Sequence, residues 1–141
     1  MQVIGFNLTK VLGERKPEIK LGNIDHSFEF INIEKEKLNI LKDNEALKIS
    51  FKYGITYKDS EKKEEKHGEI SFEGNIITVV TKDEMKNIQK DWKSKKISPD
   101  LRTGLSNLVL RKCSGKAALL TDDLGLPPHI PIPLIQNKKE D

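Results

Sequence analysis

Apolar and polar residues alternate without a break between residues 47 and 57. Every second position holds an apolar or aromatic side chain: Leu47, Ile49, Phe51, Tyr53, Ile55 and Tyr57. The intervening positions carry Lys, Ser, Gly or Thr. Since successive side chains of a strand point to opposite faces, this segment has one apolar and one polar face. The pattern predicts a strand of an antiparallel sheet that is covered on one face.

Three more segments have the composition of strands: residues 3–12, 24–34 and 68–80. In the second of them the alternation slips, because Phe28 and Phe30 fit one face whereas Ile31 and Ile33 fit the other. A β-bulge explains such a slip, and so does a strand that is buried on both faces. Gly74, inside the last of these segments, predicts a bend or a bulge.

The connections between the strands are polar. Gly13 and Pro17 predict a turn after the first strand. Residues 35–45 predict a loop or the beginning of the third strand. Residues 58–67 contain no apolar side chain, so they predict a solvated hairpin loop, with a partner-binding role as the alternative.

The period of the pattern changes after residue 80, where helical signals begin. Thr81 and Glu84 have the spacing of a capping box, and Val80 and Met85 have that of a hydrophobic staple. Apolar residues then recur at helical spacing, which predicts a helix that ends near Lys96.

A second helix is predicted to begin at Ser98 and Pro99, because Ser caps helix N-termini and Pro favours the first helical position. Its predicted end is Gly115, although residues 117–120 could continue it. Strands first and helices last is the order of an α+β protein. We therefore predict a four-stranded antiparallel sheet followed by two C-terminal helices.

The chain continues into an apolar, proline-rich tail. Residues 127–133 contain four prolines, which favour an extended conformation. The Leu and Ile residues between them predict that the tail packs back onto the domain. The alternative is a ligand for a proline-reading domain, since residues 128–131 have the PxxP form. We predict a single domain over residues 1–135 and a disordered charged tail over residues 136–141.

Composition narrows the classes of function. The chain of 141 residues carries a net charge of only +3, with basic and acidic residues interleaved, which is not the footprint of a nucleic-acid-binding protein. A Lys-rich nucleic-acid-binding module, with Lys48, Lys52 and Lys58 on phosphate, stays as the alternative function.

The first residues lack signal-peptide anatomy and no apolar stretch is long enough to span a bilayer, so we expect a cytoplasmic protein without a membrane partner.

No catalytic or metal-binding motif stands out. None of the three histidines, His26, His67 and His129, has a second ligand at metal spacing, so we expect neither a metal nor a cofactor. Cys113 follows Arg111 and Lys112, and such neighbours can lower a thiol pKa. A nucleophile also needs a positioned base, and none is identifiable. We expect a non-enzyme in which Cys113 is a small structural residue.

The aromatic residues fall mainly on the predicted strands. Two helices cover only one face of a four-stranded sheet, and the second strand places apolar residues on both of its faces. We therefore expect surplus apolar surface that another subunit, the tail or a ligand covers. Charged residues lining the face away from the helices would contradict this expectation and any function that depends on it.

The order of these elements resembles that of the bacterial export chaperone SecB and its relatives. The resemblance is carried by the alternating strand at residues 47–57, by Gly-Glu-Ile-Ser-Phe-Glu-Gly at residues 68–74, by Ser98-Pro99-Asp100 with the Leu stripe that follows, and by the spacing from Pro99 to Leu126-Pro127-Pro128. It covers nearly the whole chain. The C-terminal end, Lys138-Lys139-Glu140-Asp141, departs from the acidic tail of exporting members, so docking to the export motor is not implied.

The resemblance implies an ATP-independent holdase that binds unfolded client polypeptides in apolar surface grooves. It also implies a homo-oligomer, a dimer or a tetramer. Outside the export pathway, such a protein would be a general chaperone or one dedicated to an unstable partner such as an antitoxin. The residues that we predict to line the client groove are Phe28, Phe30, Ile31, Tyr53, Tyr57 and Trp92.

Overall fold

The computed structural model describes residues 1–38, 43–131, 133 and 135–136. Across these residues the chain forms four strands and then two helices: β1 (Gln2–Arg15), β2 (Leu21–Glu36), β3 (Asn44–Asp59), β4 (Lys66–Thr81), α1 (Lys82–Lys93) and α2 (Pro99–Asp123). The strands form one antiparallel sheet in the order β1-β4-β3-β2. This arrangement confirms the predicted α+β class, and it makes β1 and β2 the edges of the sheet.

A β-bulge in β2 resolves the slip in its alternation. The pairing register with β3 shifts between Phe30 and Asn32. Phe28, Phe30 and Ile33 therefore all pair with apolar positions of β3 on one face, whereas Ile31 is 47% exposed. The bulge is thus confirmed as the explanation, and the alternative, a strand with large apolar side chains buried on both faces, is wrong.

The face of the sheet opposite the helices, here called the far face, carries charged residues along its middle. In the register, Lys52 of β3 lies between Glu29 of β2 and Glu73 of β4. Lys58 approaches Asp25 to 2.8 Å on the same face. The expected surplus of apolar surface is therefore wrong for β2, because the bulge returns its apolar side chains to the helical side. Half-buried Ile77 and Val79 of β4 still lie on the far face.

The opposite face carries the core. The apolar side chains of β3 pack there with residues of β4, α1 and α2 in one cluster. From α2 the cluster includes Leu105, Val109 and Cys113, each of which is at most 1% exposed. The two helices therefore cover the sheet on one side only.

The predicted irregularity at Gly74 is present, but the extra residue belongs to the neighbouring strand. The register between β1 and β4 shifts between Leu8 and Lys10, directly opposite Gly74. A Cβ atom at position 74 would collide with the carbonyl oxygen of Asn7. Glycine is needed here because the bulged edge strand passes unusually close.

Helix α1 begins at the predicted capping box. The Thr81 hydroxyl accepts a hydrogen bond from the Glu84 amide, and the Glu84 carboxylate accepts one from the Thr81 amide, each at 3.1 Å. The bond from the Thr81 amide to the carboxylate is the main cause that holds the pKa of Glu84 below its usual value, and the Thr81 hydroxyl and the N-terminal ammonium lower it further. Val80 and Met85 are 2% and 5% exposed, as a hydrophobic staple requires.

Helix α2 is longer than predicted. Ser98 caps it, with its hydroxyl 3.4 Å from the Leu101 amide, and Pro99 opens it. Gly115 does not end the helix, which continues to Asp123. Ala117 and Thr121 remain buried against the sheet, and burial of the continued helix outweighs the roughly 1 kcal/mol that an internal glycine costs.

The proline-rich tail packs onto the domain, as predicted, over the part that the structure describes. The chain reverses at Gly125, whose φ of 64° suits glycine. Leu126 then packs over Gly68 of β4, and His129 is only 4% exposed. Ile132, Leu134 and residues 137–141 lie outside the described residues, and so does most of the predicted charged tail.

Among the described residues, no helix has the length and apolar character needed to cross a bilayer.

Candidate functional site

A groove of about 380 Å³, with an apolar floor and charged residues in its lining, opens between edge strand β2, the end of α1 and the beginning of α2. We call it the β2 groove. Its lining residues include Phe28, Phe30, Ile31, Trp92, Ile97 and Arg102.

The floor of the β2 groove is formed by aromatic side chains of β2. Phe28 stacks on Tyr53 of the central strand, with ring centroids 4.6 Å apart and planes inclined by 11°. Phe30 is 8% exposed. The floor is therefore continuous with the core, and rigid aromatic rings define it.

The walls come from the two helices. Trp92 lies near the C-terminal end of α1, and the Lys95 ammonium sits 4.7 Å from the centre of its ring. The Arg102 guanidinium lies 5.6 Å from the centre of the Phe30 ring. Both cations are positioned over aromatic faces, where the ring electrons attract positive charge. Glu29 also contributes to the lining, but its pairing with Lys52 places its side chain toward the far face, so the two cations give the groove a basic rim.

The outer rim lies on the free edge of the sheet. Ile31 is the extra residue of the bulge, and its side chain stands 47% exposed. Because β2 pairs only with β3 in the described sheet, its other side offers backbone groups for pairing. Apolar side chains and an unpaired strand edge therefore occur together.

Four of the six residues predicted to bind clients, Phe28, Phe30, Ile31 and Trp92, meet in the β2 groove. The prediction for the other two, Tyr53 and Tyr57, requires correction. They are 0% and 1% exposed because β3 is a central strand beneath the helices and the tail. Burial raises the pKa of each hydroxyl to about 12.

Both tyrosine hydroxyls serve to anchor the tail. Tyr57 donates to the carbonyl oxygen of Pro127 at 2.6 Å. The Nε2 atom of His26 lies 3.1 Å from the carbonyl oxygen of His129, and a carbonyl can only accept, so Nε2 carries the hydrogen. The Nδ1 atom of His26 is then the acceptor for the Tyr53 hydroxyl, 2.8 Å away. Two central side chains thus hold the tail across the end of the sheet.

Sequence reasoning missed Ile97 and Arg102. Ile97 lies in the short connection between the helices, and Arg102 lies in the first turn of α2. Neither position has a strand or helix periodicity that points to β2. Only the way in which α2 crosses the sheet brings them to Phe30.

Cys113 has the opposite character to that of a catalytic thiol. It is fully buried, and burial raises its pKa to about 11, with Lys116 opposing the shift only in part. The thiol is therefore protonated at neutral pH and unable to act as a nucleophile.

The lysines proposed to contact phosphate all lie on the far face, but carboxylates accompany them. Lys48 approaches Glu34 to 3.9 Å, and Lys58 approaches Asp25 to 2.8 Å. Lys52 pairs in the register with Glu29 and Glu73. Their charges are locally balanced, which disfavours nucleic-acid binding on this face.

No protein-family model matches the chain, and no curated protein matches it. Among solved structures, the chain is similar to the Mycobacterium tuberculosis SecB-like chaperone Rv1957, in complex with a ChAD peptide from the antitoxin HigA1. The TM-score is 0.54 at 16% identity, and the match covers 97% of this chain and 91% of the other. At this identity the similarity concerns the fold: a four-stranded antiparallel sheet followed by two helices, as in SecB-like chaperones.

Proposed function

We propose that this protein is an ATP-independent holdase that binds non-native polypeptides in the β2 groove. The observation that carries the proposal is the groove itself, an apolar surface continuous with the core and adjacent to a free strand edge in a SecB-like fold. Holdase activity requires exposed apolar surface and no catalytic group.

The proposal does not use the far face. The charged residues along its middle disfavour the burial of apolar client side chains there, so a chaperone role based on an apolar far face fails. The helical side supplies the alternative, because α1 and α2 leave Phe28 and Trp92 only partly covered at the β2 edge.

An extended apolar segment of a client is the occupant that suits the groove. A strand places alternate side chains on one face, so it can insert them between Phe30 and Trp92 while its backbone pairs with the edge of β2. Each large side chain that is buried contributes about 1.5–3 kcal/mol before the cost of ordering the client. The basic rim favours clients with acidic residues beside the apolar ones.

The solved neighbour supports one class of client in particular. That chaperone is in complex with an antitoxin peptide, so we propose that unstable regulatory proteins of this kind are natural clients here as well. A cytoplasmic location and the protection of such partners belong to the same proposal.

We also propose that the protein is a homo-oligomer, a dimer or a tetramer. Edge strand β1 carries three exposed aliphatic side chains, Val3, Ile4 and Val11, which are 40–51% exposed. Pairing of β1 with a second copy would shelter them and remove an unpaired edge. Measurement of the mass in solution tests this part.

Suppression of aggregation tests the holdase proposal. A chemically denatured client is diluted into buffer with increasing amounts of the protein, and light scattering is followed. We expect protection near stoichiometric amounts and its loss in Trp92→Ala. Leu119→Ala is the matched control, since Leu119 is 69% exposed on α2 outside the groove. Absence of protection at a fourfold excess would overturn the proposal.

A further inference from the structure

Three side chains with metal-binding atoms converge at the end of the β3–β4 hairpin. They are Asp59 at the end of β3, Glu65 in the loop and His67 at the beginning of β4, and we call them the hairpin triad. Their ligand atoms all lie within 4.8 Å of one another. Asp59 and His67 are buried, although sequence reasoning predicted a fully solvated loop from residue 58 to residue 67.

The carboxylate of Asp59 is held in a fixed orientation. Its Oδ1 atom accepts hydrogen bonds from the amides of Glu61 at 2.7 Å and Lys62 at 2.8 Å. These bonds hold the pKa of Asp59 below its usual value, so the group is anionic. The second oxygen, Oδ2, accepts neither of these bonds and faces His67.

The imidazole of His67 is oriented in the way that metal ligands usually are. Its Nδ1 atom lies 3.1 Å from the carbonyl oxygen of Glu18, which can only accept, so Nδ1 carries the hydrogen. A histidine ligand commonly donates its second ring nitrogen to such a carbonyl, which leaves Nε2 with a lone pair.

The Nε2 atom of His67 is buried and makes no directed hydrogen bond. It nevertheless lies 2.7 Å from Oδ2 of Asp59 and 3.9 Å from Oε2 of Glu65. A lone pair that faces two carboxylates requires a cation between them. That cation is either a proton on Nε2 or a metal ion.

We propose that the hairpin triad binds a divalent transition-metal ion such as Zn²⁺. One imidazole nitrogen and two carboxylate oxygens form a donor set that such ions accept. Ligands about 2.0–2.2 Å from a zinc ion lie roughly 3–3.5 Å apart, and the two distances from Nε2 bracket this range. Small rotations of the exposed Glu65 side chain and of His67 would equalise them, and water would complete the coordination.

The metal would join two connections at the same end of the sheet. His67 is bonded to the carbonyl of Glu18, in the β1–β2 connection, while Glu65 belongs to the β3–β4 loop. After His67, Lys20 from the same β1–β2 connection is the second positive side chain that acts on Asp59, and it would compete with the ion for that carboxylate. The site is independent of the β2 groove, so failure of one proposal leaves the other intact.

Titration of the metal-free, full-length protein with ZnCl₂ in a calorimeter tests the site. We expect one equivalent to bind, a rise in the thermal midpoint, and visible absorption when Co²⁺ replaces Zn²⁺. Glu65→Gln should weaken binding at least about tenfold, since even the loss of a group that only orients a ligand typically costs 10–100-fold in metal affinity. Glu64→Gln, the adjacent exposed acid, is the matched control and should bind as the wild type does.

His67→Gln and Asp59→Asn should abolish binding, and circular dichroism checks that both variants fold. If either fails to fold, the comparison of Glu65→Gln with Glu64→Gln decides, since both positions are exposed. If the wild type shows no saturable uptake of Zn²⁺, the proposal is overturned. The cation between Nε2 of His67 and the carboxylates is then a proton. Unchanged affinity in Glu65→Gln and His67→Gln would overturn it equally.

Discussion

The hydroxyl of Tyr57 donates a hydrogen bond to the carbonyl oxygen of Pro127 over 2.6 Å, and this bond ties the end of the central strand β3 to the proline-rich tail. Tyr57 is 1% exposed because the tail lies over it, so the tail helps to shield the core from solvent. The segment from Leu126 to His129 closes the end of the helical face that α2 leaves open.

Removal of this bond should loosen the tail. We expect Tyr57→Phe to lower the free energy of unfolding by about 1 kcal/mol, the usual net contribution of one hydrogen bond. Proteolytic cleavage after residue 125 should become faster. Urea unfolding followed by circular dichroism and limited proteolysis measure the two effects.

Thr121→Val is the matched control for this substitution. It removes another buried hydroxyl, which bonds to the Ala118 carbonyl within α2 and not to the tail. It should lower stability by a similar amount and leave tail cleavage unchanged. Equal cleavage rates in the wild type and Tyr57→Phe would contradict the anchoring role.

The buried histidine of the tail makes stability depend on pH. Burial, assisted by His26, lowers the pKa of His129 below its ordinary value of 6.5. At this residue the unfolded chain therefore binds a proton at a higher pH than the folded chain does. The stability that the folded state gains from keeping His129 neutral is lost as the pH falls below about 6.5. The contribution is complete above that pH, where both states are neutral at this residue.

Urea unfolding at pH 7.5 and at pH 5.5 measures this effect. We expect the difference in unfolding free energy between the two pH values to be smaller in His129→Gln than in the wild type. An unchanged difference would mean that other groups carry the acid sensitivity.

Much of the fold was predictable because the local signals agree with the global structure. The alternation of β3, the Thr81 capping box and the Ser98-Pro99 helix start each depend on nearby residues alone, and each prediction holds. The slip in β2 was different. A single strand cannot distinguish a bulge from burial on both faces, and only its pairing with β3 decides.

The sites were less predictable, for a related reason. Alternation places Tyr53 and Phe28 on the same side of the sheet but does not tell which strand is central and therefore deeply buried. The hairpin triad likewise joins Asp59 to His67 across a loop, at a spacing that matches no metal-binding motif. Contacts of this kind arise from strand register.

Cys113 provides a test of the helical side of the core. Its burial and raised pKa of about 11 predict that thiol reagents at pH 8 label it only after unfolding. Labelling should be fast in urea and slow in buffer, as followed by absorbance of the released thiol reagent. Fast labelling in buffer would show that α2 opens readily, and Cys113 would again be a candidate nucleophile.

Occupancy of the β2 groove can be followed directly, because Trp92 is the only tryptophan in the chain. An extended peptide with alternating Leu or Phe residues should shift the emission of Trp92 to shorter wavelength as water leaves the indole. Ile31→Ser removes an aliphatic side chain from the rim, and we expect it to weaken binding by about 1–2 kcal/mol, roughly tenfold in Kd.

Leu119→Ser is the control for Ile31→Ser, since both side chains are exposed aliphatic residues but Leu119 lies outside the groove. It should leave the peptide affinity unchanged. An equal loss in both variants would indicate non-specific adhesion to apolar surface. A peptide that binds tightly without altering Trp92 emission would place the client site elsewhere, and the exposed aliphatic residues of β1, Val3, Ile4 and Val11, would then be the next surface to test.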